Sequence, residues 1–431
     1  MSKLNQQRMR RLLTRRNFLG GASGLMAAGA LGFPKLAHGA AKGVDRKFIF
    51  FFAGGGWDTS TILDPHFGTD GVDMDIDTVL GQVGNLRYTM GPDREPVDRF
   101  FKRWGAHAAI VNGINHHSVG HDSATQFCLT GTSASSYADW PTVIAANSPV
   151  DLPLPHVVFS GPSFPGNYGA AVVRAGGGTL LDLIDGSIVG YSDSPAPLPA
   201  TPADSMVDSF VHRRVADFAA GQTGLARKRA EGLLSNVERA MELEGRRFEA
   251  GLSDLGNTTL DQAIKASEMM RLGLSRCAMI SIPGGWDSHG GNQVQAPQQV
   301  EFYDVLDQLM DHLATTPGNS TTWLIDEVVV VAQSDFGRTP RLNGGGGKDH
   351  WPYGSTLVVG AGVNGNRVLG KSNDSLIAVD SINLATGQEQ VGHEQLGVEH
   401  VGTAFLKLAG LDPENFLPGV QSLDALIRGG V

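Results

Sequence analysis

The sequence predicts an α/β protein whose central strands are covered on both faces. Three short apolar runs, at residues 47–53, 277–282 and 327–333, are typical of buried strands in such a sheet. Helix-forming residues with apolar spacing, as at 297–314, predict the helices that pack on the sheet. The runs are too short to be helices of ordinary length, so a sheet between helices is the fold class that they favour.

Each of the three runs is followed by a turn that carries an aspartate. The tetrapeptide Gly-Gly-Trp-Asp occurs twice, ending at Asp58 and Asp287, and Asp335 follows the third run. Ligands of open parallel sheets bind outside the carboxyl ends of the strands, so the three carboxylates are expected at one rim. Asp58 and Asp287 should lie close together there, and like charges should raise the pKa of at least one aspartate. For Asp58 alone, helix capping is an equally good interpretation.

Two histidines strengthen the case for a metal site. His289 lies two residues after Asp287 in a glycine-rich loop, which makes an Asp-x-His ligand pair for a divalent cation. His350 follows a second glycine-rich stretch, and functional residues concentrate in such loops. The pattern predicts one or two bound ions and leaves zinc, calcium, magnesium and manganese open.

Residues 1–40 predict a twin-arginine export signal. A basic segment with two consecutive arginines, at 14–19, precedes an uncharged stretch rich in glycine and alanine. A membrane anchor is disfavoured because five glycines interrupt residues 17–34. The expected partner during export is therefore the twin-arginine translocase, and the expected location is the periplasm or another site outside the cytoplasm.

The mature chain, residues 41–431, is expected to form a single acidic domain. Once the seven basic residues of the signal are removed from the total of 34, 27 basic side chains face 44 acidic ones. This excess of negative charge disfavours a nucleic-acid partner. No later segment is long and apolar enough for a transmembrane anchor. The two cysteines, Cys128 and Cys277, are compatible with a disulfide or with two buried thiols.

Two segments of the mature chain differ from the rest in composition. Residues 192–205 are rich in proline and predict an extended connector at the surface. Residues 206–252 predict a helical insertion, in which Gly221 and Gly224 mark a break.

Several of these motifs together resemble one protein family. The export signal, the first strand with its glycine turn, "GGWDSHGGN", "SDFGRTPRLNGGGGKDHWP" and "VVGAGVNGNRVLG" resemble the bacterial domain-of-unknown-function family 1501. That family is placed in the alkaline phosphatase/sulfatase superfamily. The resemblance implies an alkaline phosphatase-like α/β/α sandwich with a mostly parallel sheet and a metal site at its carboxyl edge.

The resemblance also implies a set of metal ligands. In this sequence they are Asp58, Asp287, His289, Asp335 and His350. Phe336 stands where the superfamily has a second histidine, so one ion would lose an imidazole. His116, His117 and His121 are further candidates because they lie in a neighbouring loop.

The implied activity is hydrolysis of a phosphate or sulfate ester, with a small anionic ester as substrate. Ser123 and Thr125 are the candidate nucleophiles because a helix N-terminus beside them would favour an anion. Helix capping by Asp122 or Ser123 accounts for the same segment without catalysis. Arg338 is expected to bind the substrate anion or to fix the Asp335 loop. The alternative function is a catalytically silent envelope binding or assembly protein that retains the fold.

Overall fold

The computed structural model describes residues 45–175, 202–246 and 256–429. The predicted export signal lies outside the described residues, as do residues 192–201 of the predicted connector. The strands are β1 (Lys47–Ala53), β2 (Val79–Val83), β3 (Leu86–Met90), β4 (Ala108–Asn115), β5 (His156–Val158), β6 (Val172–Arg174), β7 (Cys277–Ser281), β8 (Val328–Ser334), β9 (Gly337–Arg338), β10 (His350–Trp351), β11 (Tyr353–Gly360), β12 (Arg367–Gly370), β13 (Ile382–Asn383) and β14 (Gln388–Glu389). The helices are α1 (Glu95–Trp104), α2 (His121–Thr130), α3 (Trp140–Ala146), α4 (Pro202–Ala220), α5 (Gly224–Arg246), α6 (Thr259–Arg271), α7 (Gln295–Thr315) and α8 (Val398–Leu408).

Eight of the described strands form one sheet, in the order β12-β4-β11-β8-β1-β7-β5-β6. Strand β11 runs antiparallel to its neighbours β4 and β8, whereas the other neighbouring pairs in this sheet are parallel. The predicted mostly parallel sheet is therefore confirmed.

The three strands predicted from the apolar runs lie side by side at the centre of the sheet. Strand β1 lies between β7 and β8, with Phe52 opposite Ser281 on one side and Gln333 on the other. In this register the carboxyl ends of all three strands meet at one rim. The predicted bounds of these strands agree with the observed ones to within a residue.

Strand β1 shows why the sheet has a helical layer on each face. Its side chains alternate, so Phe51 packs edge-on against Phe302 of α7, while Phe50 packs edge-on against Phe405 of α8. Helices α1, α6 and α7 share the first hydrophobic core, and α2, α3 and α8 share the second. Each fully buried phenylalanine stabilises the fold by about 1.5–3 kcal/mol. The fold is thus an α/β/α sandwich.

Helices α4 and α5 occupy most of the segment where a helical insertion was predicted. Helix α4 begins at Pro202, so the last residues of the predicted connector are helical, and the two helices are separated by residues 221–223. None of the described helices combines the length and apolarity that a membrane span requires. Cys128 and Cys277 are separate buried thiols, and Cys128 Sγ donates to the Ser334 carbonyl oxygen at 3.3 Å.

Candidate metal centre

The two Gly-Gly-Trp-Asp turns touch at the rim where β1 and β7 end. A Cβ atom on Gly55 would lie 2.9 Å from the backbone nitrogen of Asp287, so this approach requires glycine. Gly55 also has a φ of 128°, which favours glycine. Trp57 and Trp286 are both buried in the core that contains α7. The predicted convergence of the two turns is therefore observed.

Asp287 lies at the centre of a group of histidines at this rim. The Nε2 atoms of His289 and His350 each lie 3.1 Å from Asp287 Oδ1 and lie 2.9 Å from each other. His121, the first residue of α2, places its Nε2 atom 3.7 Å from Asp287 Oδ2. We call these four residues the histidine cluster. It contains three of the five predicted metal ligands and adds His121.

Each histidine of the cluster is held through its other ring nitrogen. His121 Nδ1 lies 2.7 Å from Asp335 Oδ2, and His289 Nδ1 lies 2.7 Å from Asp349 Oδ1. His350 Nδ1 lies 2.7 Å from the carbonyl oxygen of Val119. These partners are the acceptors found behind histidines that bind metals, where they fix the ring and its tautomer.

These hydrogen bonds determine which ring nitrogen of His289 and of His350 carries the hydrogen. A carbonyl oxygen and a carboxylate accept, so the Nδ1 atoms of His350 and His289 carry the hydrogens. In the neutral rings both Nε2 lone pairs then point toward each other across 2.9 Å, which is unfavourable unless a proton or cation lies between them. His121, Asp287 and His350 each offer one ligand atom within 4.8 Å of the others. Imidazole and carboxylate donors in this arrangement fit a divalent metal ion.

Phe336 forms a wall of the cluster. Its buried ring lies 4.9 Å from the ring centroid of His121 and 4.5 Å from that of His350. The imidazole expected from the superfamily at this position is thus absent, and His121 supplies one from a different element. Phe336 contributes packing that restricts the orientation of two histidines.

Asp335 supports His121 and the first turn. Its Oδ1 atom accepts hydrogen bonds from the backbone nitrogens of Gly55 and Gly56 and from the hydroxyl of Ser334. Its Oδ2 atom accepts from His121. The structure therefore places this predicted ligand behind a histidine, because its oxygens are already used to hold the turn and the ring.

Arg338 connects the two turns from inside the protein. Its guanidinium is fully buried and donates to the carbonyl oxygens of Gly55, Gly56 and Lys348 and to Asp287 Oδ1. Of the two predicted roles for Arg338, binding a substrate anion and fixing a loop, these contacts correspond to the second. The loop that it fixes is the first Gly-Gly-Trp-Asp turn.

Asp58 is separated from the histidine cluster by its own partners. Its Oδ2 atom lies 2.8 Å from Lys348 Nζ and accepts from the Asn292 amide at 2.7 Å. Its Oδ1 atom accepts from the backbone nitrogen and hydroxyl of Ser60, so Asp58 is the N-cap of the 3-10 helix Thr59–Thr61. Asp58 was expected to bind a metal ion, but in the structure it forms an ion pair and caps a helix. The ammonium group of the buried Lys348 lies where a metal cation would be expected.

The predicted rise in aspartate pKa is wrong for both turns. Burial would raise the pKa of Asp58, but Lys348, Ser60 and Asn292 outweigh it and lower the pKa. Burial has the same tendency at Asp287, but a hydrogen bond from Arg338 and the nearby ring of His350 outweigh it and lower the pKa to about 2. The expectation considered repulsion between carboxylates and omitted the cations that separate them.

The candidate nucleophiles lie on α2 but have different surroundings. The Ser123 hydroxyl lies 2.5 Å from the Ser118 hydroxyl and donates to the carbonyl oxygen of Gly120. Thr125 lines an open cleft of about 570 Å³ beside the helix. Gly120 is the N-cap residue of α2, so neither Asp122 nor Ser123 has the predicted capping role.

The other two histidines of the neighbouring loop lie outside the cluster. His116 is fully buried, and neither of its ring nitrogens has a hydrogen-bond partner among the described residues; burial lowers its pKa to about 4. His117 lies 2.8 Å from Glu399. Sequence reasoning gave His121 no priority over them, although it directly follows Gly120 at the start of a predicted helix, which is a signal for a side chain at a rim.

These features define a class: an α/β/α sandwich with a histidine and carboxylate cluster at the carboxyl rim of its sheet. Residues 102–428 match the family described as "Protein of unknown function (DUF1501)", and the chain belongs to this family. A search of curated proteins finds no match.

Several solved structures are similar to the chain at low identity. A mutant of TAB5 alkaline phosphatase with Mg bound in the M3 site is 9% identical, with a TM-score of 0.32, over 76% of this chain and 95% of that one. BT4656 in complex with its substrate D-glucosamine-2-N,6-O-disulfate is 11% identical, with a TM-score of 0.34, over 89% and 81%. PH0037 protein from Pyrococcus horikoshii is 10% identical, with a TM-score of 0.29, over 76% and 94%. TM-scores this low transfer neither a site nor a function.

Proposed function

We propose that the protein is an exported, metal-dependent hydrolase of phosphate or sulfate esters. The proposal combines the residues of the histidine cluster with the family's placement in the alkaline phosphatase/sulfatase superfamily. Export through the twin-arginine translocase belongs to the same proposal and is supported by residues 1–40 of the sequence.

The observation that carries the proposal is the pair of Nε2 atoms, on His289 and His350, that face each other 2.9 Å apart. Both rings are fixed by acceptors at Nδ1, so rotation cannot easily relieve this contact. Asp287 adds a carboxylate oxygen 3.1 Å from each nitrogen. An arrangement held this way is typical of ligands organised for a metal ion.

The residues of the chain have separate tasks in this proposal. His121, Asp287 and His350, whose ligand atoms lie within 4.8 Å of one another, hold a divalent ion, and His289 is a further ligand beside His350. Asp335, Asp349 and the Val119 carbonyl orient the rings. When bound, such an ion supplies a Lewis acid for an ester oxygen. Arg338 keeps Asp287 in place from the buried side. Thr125 is the candidate nucleophile that faces open space.

The test is hydrolysis by the purified protein of aryl phosphates and aryl sulfates with zinc, manganese, magnesium or calcium. We expect turnover that requires a divalent ion and stops on chelation. His350→Ala should lower kcat/KM by at least about 100-fold because a ligand is lost. His393→Ala is the matched control, since His393 is exposed and lies outside the cluster. Equal activity of the two variants, or no turnover with any of the four ions, contradicts the proposal.

One observation favours the alternative function, a binding or assembly protein of the cell envelope. Ser123, one of the two candidate nucleophiles, uses its hydroxyl within the loop that precedes α2. Thr125→Val, which removes the remaining hydroxyl at nearly constant shape, separates the two functions. Loss of hydrolysis supports catalysis through Thr125. A cellular phenotype that is unchanged in this variant and in Ser123→Ala, at normal protein level, supports the binding function.

A further inference from the structure

An open cleft of about 570 Å³ is lined by Asp122 and Trp286, the chain neighbours of His121 and Asp287 in the histidine cluster. The first two turns of α2 form one wall, with Asp122, Thr125 and Gln126, and residues just after β1 and β7 form another. His121 begins the same helix, so Thr125 lies about 6 Å along the helix axis from a residue of the cluster. If the phosphate or sulfate group of an ester is bound at the cluster, this cleft is available for the rest of the ester.

The charge of the cleft is unusual for a site that takes an ester of a strong acid. Its lining residues, all of which are described, include no lysine or arginine. Asp122 is exposed there and makes no ion pair with the described part of the chain. A second negative charge on the substrate would meet this carboxylate without compensation. The cleft thus disfavours a bound group that is itself anionic.

The remaining lining residues offer hydrogen bonds and apolar surface. The side-chain amide of Gln126 and the hydroxyl of Ser281 are polar groups on residues that line the cleft. Pro162 and Phe164 give part of the wall an apolar character. A flat ring or chain with one apolar face and several polar groups satisfies these surfaces together.

We propose that this cleft binds the alcohol portion of the substrate, and that this portion is non-anionic, with an apolar face and hydrogen-bonding hydroxyl, amide or amino groups. This inference rests on the proposed hydrolase function and specifies its substrate class. Asp122 accepts hydrogen bonds from the bound group, and the hydroxyl of Ser281 offers it a further hydrogen bond. Neutral and cationic alcohols share this chemistry, and they differ in how strongly they depend on Asp122.

The test compares three phenyl esters whose para substituents carry different charges: a neutral carboxamide, a cationic aminomethyl group and an anionic carboxylate. We expect kcat/KM to be at least about tenfold lower for the carboxylate ester. This factor follows from one unit charge about 6 Å from Asp122 at an effective dielectric constant of about 40. Asp122→Asn should reduce the difference to less than about threefold. Asp93→Asn is the matched control, because Asp93 is exposed and does not line the cleft.

Binding of the three free phenols, measured by ligand-observed NMR, separates this inference from the hydrolase function. If the phenols bind in the expected order and no ester is hydrolysed, the cleft assignment stands and the hydrolase function fails. If esters are hydrolysed without dependence on substituent charge or on Asp122, the cleft assignment is overturned. A neutral phenol that binds best indicates a polyol-like alcohol, and an aminomethyl phenol that loses most affinity in Asp122→Asn indicates an amino alcohol.

Discussion

The two Gly-Gly-Trp-Asp turns, residues 55–58 and 284–287, have the same sequence and different chemistry. The Asp58 side chain is 1% exposed and forms an ion pair with Lys348, which is equally buried. The Asp287 side chain is 51% exposed and lies among three histidines. The first turn continues into a buried 3-10 helix, whereas the second continues into a loop at the surface.

The Gly-Gly-Trp-Asp motif determines where a carboxylate is presented but not what that carboxylate binds. Both turns present an aspartate at one rim, and in each case the partner comes from a distant segment. For Asp58 this partner is the ammonium group of Lys348, and for Asp287 it includes Arg338 and His350. The side chains that the fold places beside each aspartate therefore decide whether its carboxylate has a structural or a ligand-binding role.

Of the changes considered, removal of the Lys348 ammonium group should have the largest effect on the stability of the protein. Lys348→Met leaves Asp58 as an unpaired buried charge, and we expect a loss of about 3–5 kcal/mol in the free energy of unfolding in urea. Lys371→Met is the control, because the ion pair of Lys371 with Glu389 is exposed and should contribute less than about 1 kcal/mol. The double variant with Asp58→Asn should recover part of the loss. Equal stability of the two single variants contradicts this reading.

The glycines at equivalent positions of the two turns should respond differently to alanine. Gly56 has a φ of 81°, and its Cβ would lie 2.5 Å from the Phe336 ring, whereas a Cβ on Gly285 would have no described atom within 4 Å beyond its chain neighbours. We expect Gly56→Ala to lower the free energy of unfolding by about 2–4 kcal/mol through strain and overpacking. Gly285→Ala should change it by less than about 0.5 kcal/mol. Similar urea midpoints for the two variants, with unchanged slopes, are the outcome that rejects this difference.

Neutralising each aspartate should separate stability from metal affinity. Asp287→Asn should weaken the binding of a divalent ion, measured by calorimetry, by at least about 100-fold, because it removes a carboxylate ligand. Asp58→Asn should leave that affinity nearly unchanged and lower stability, since Lys348 becomes the unpaired buried charge. A larger loss of affinity in Asp58→Asn would return Asp58 to the metal site.

A smaller effect is expected one step behind the cluster. Asp349 holds His289 and is half exposed, so Asp349→Asn should change stability little. The affinity for a divalent ion should fall by about 10–100-fold, because the ring of His289 loses the carboxylate that orients it. Asp374→Asn is a suitable control, as Asp374 is an exposed aspartate that contacts His66. An affinity equal to that of the control would show that His289 needs no such support.

The sequence predicted the sheet better than it predicted the site. The central strands and their shared rim follow from apolar runs and from turn chemistry, which are local properties of the chain. Asp287, His289 and His350 are also brought together as predicted, and whether they bind a metal stays a prediction. The partners of Asp58 were not predictable from spacing, because Lys348 is 290 positions away and its position depends on the paths of β8 and of the glycine-rich loop that follows it.

His121 was underestimated for a related reason. Three histidines occur within residues 116–121, and nothing in their spacing distinguishes the one that faces the rim. The start of α2 at His121 makes the distinction, because it places that ring against Phe336 and within reach of Asp335. Small differences in helix position decide such assignments.

The order of strands in the sheet also has a consequence for synthesis. Strand β1 is made before both of its neighbours in the sheet, β7 and β8, and Lys47 pairs with Glu327, 280 residues later. Until the ribosome has released those segments, the apolar side chains of residues 48–52 have no place in a sheet. Pairing of strands that are far apart in sequence is slow, and aggregation-prone apolar surface stays exposed until it is complete. We therefore expect the nascent chain to need shielding of these residues, by a chaperone or by transient collapse, until β7 and β8 have been made.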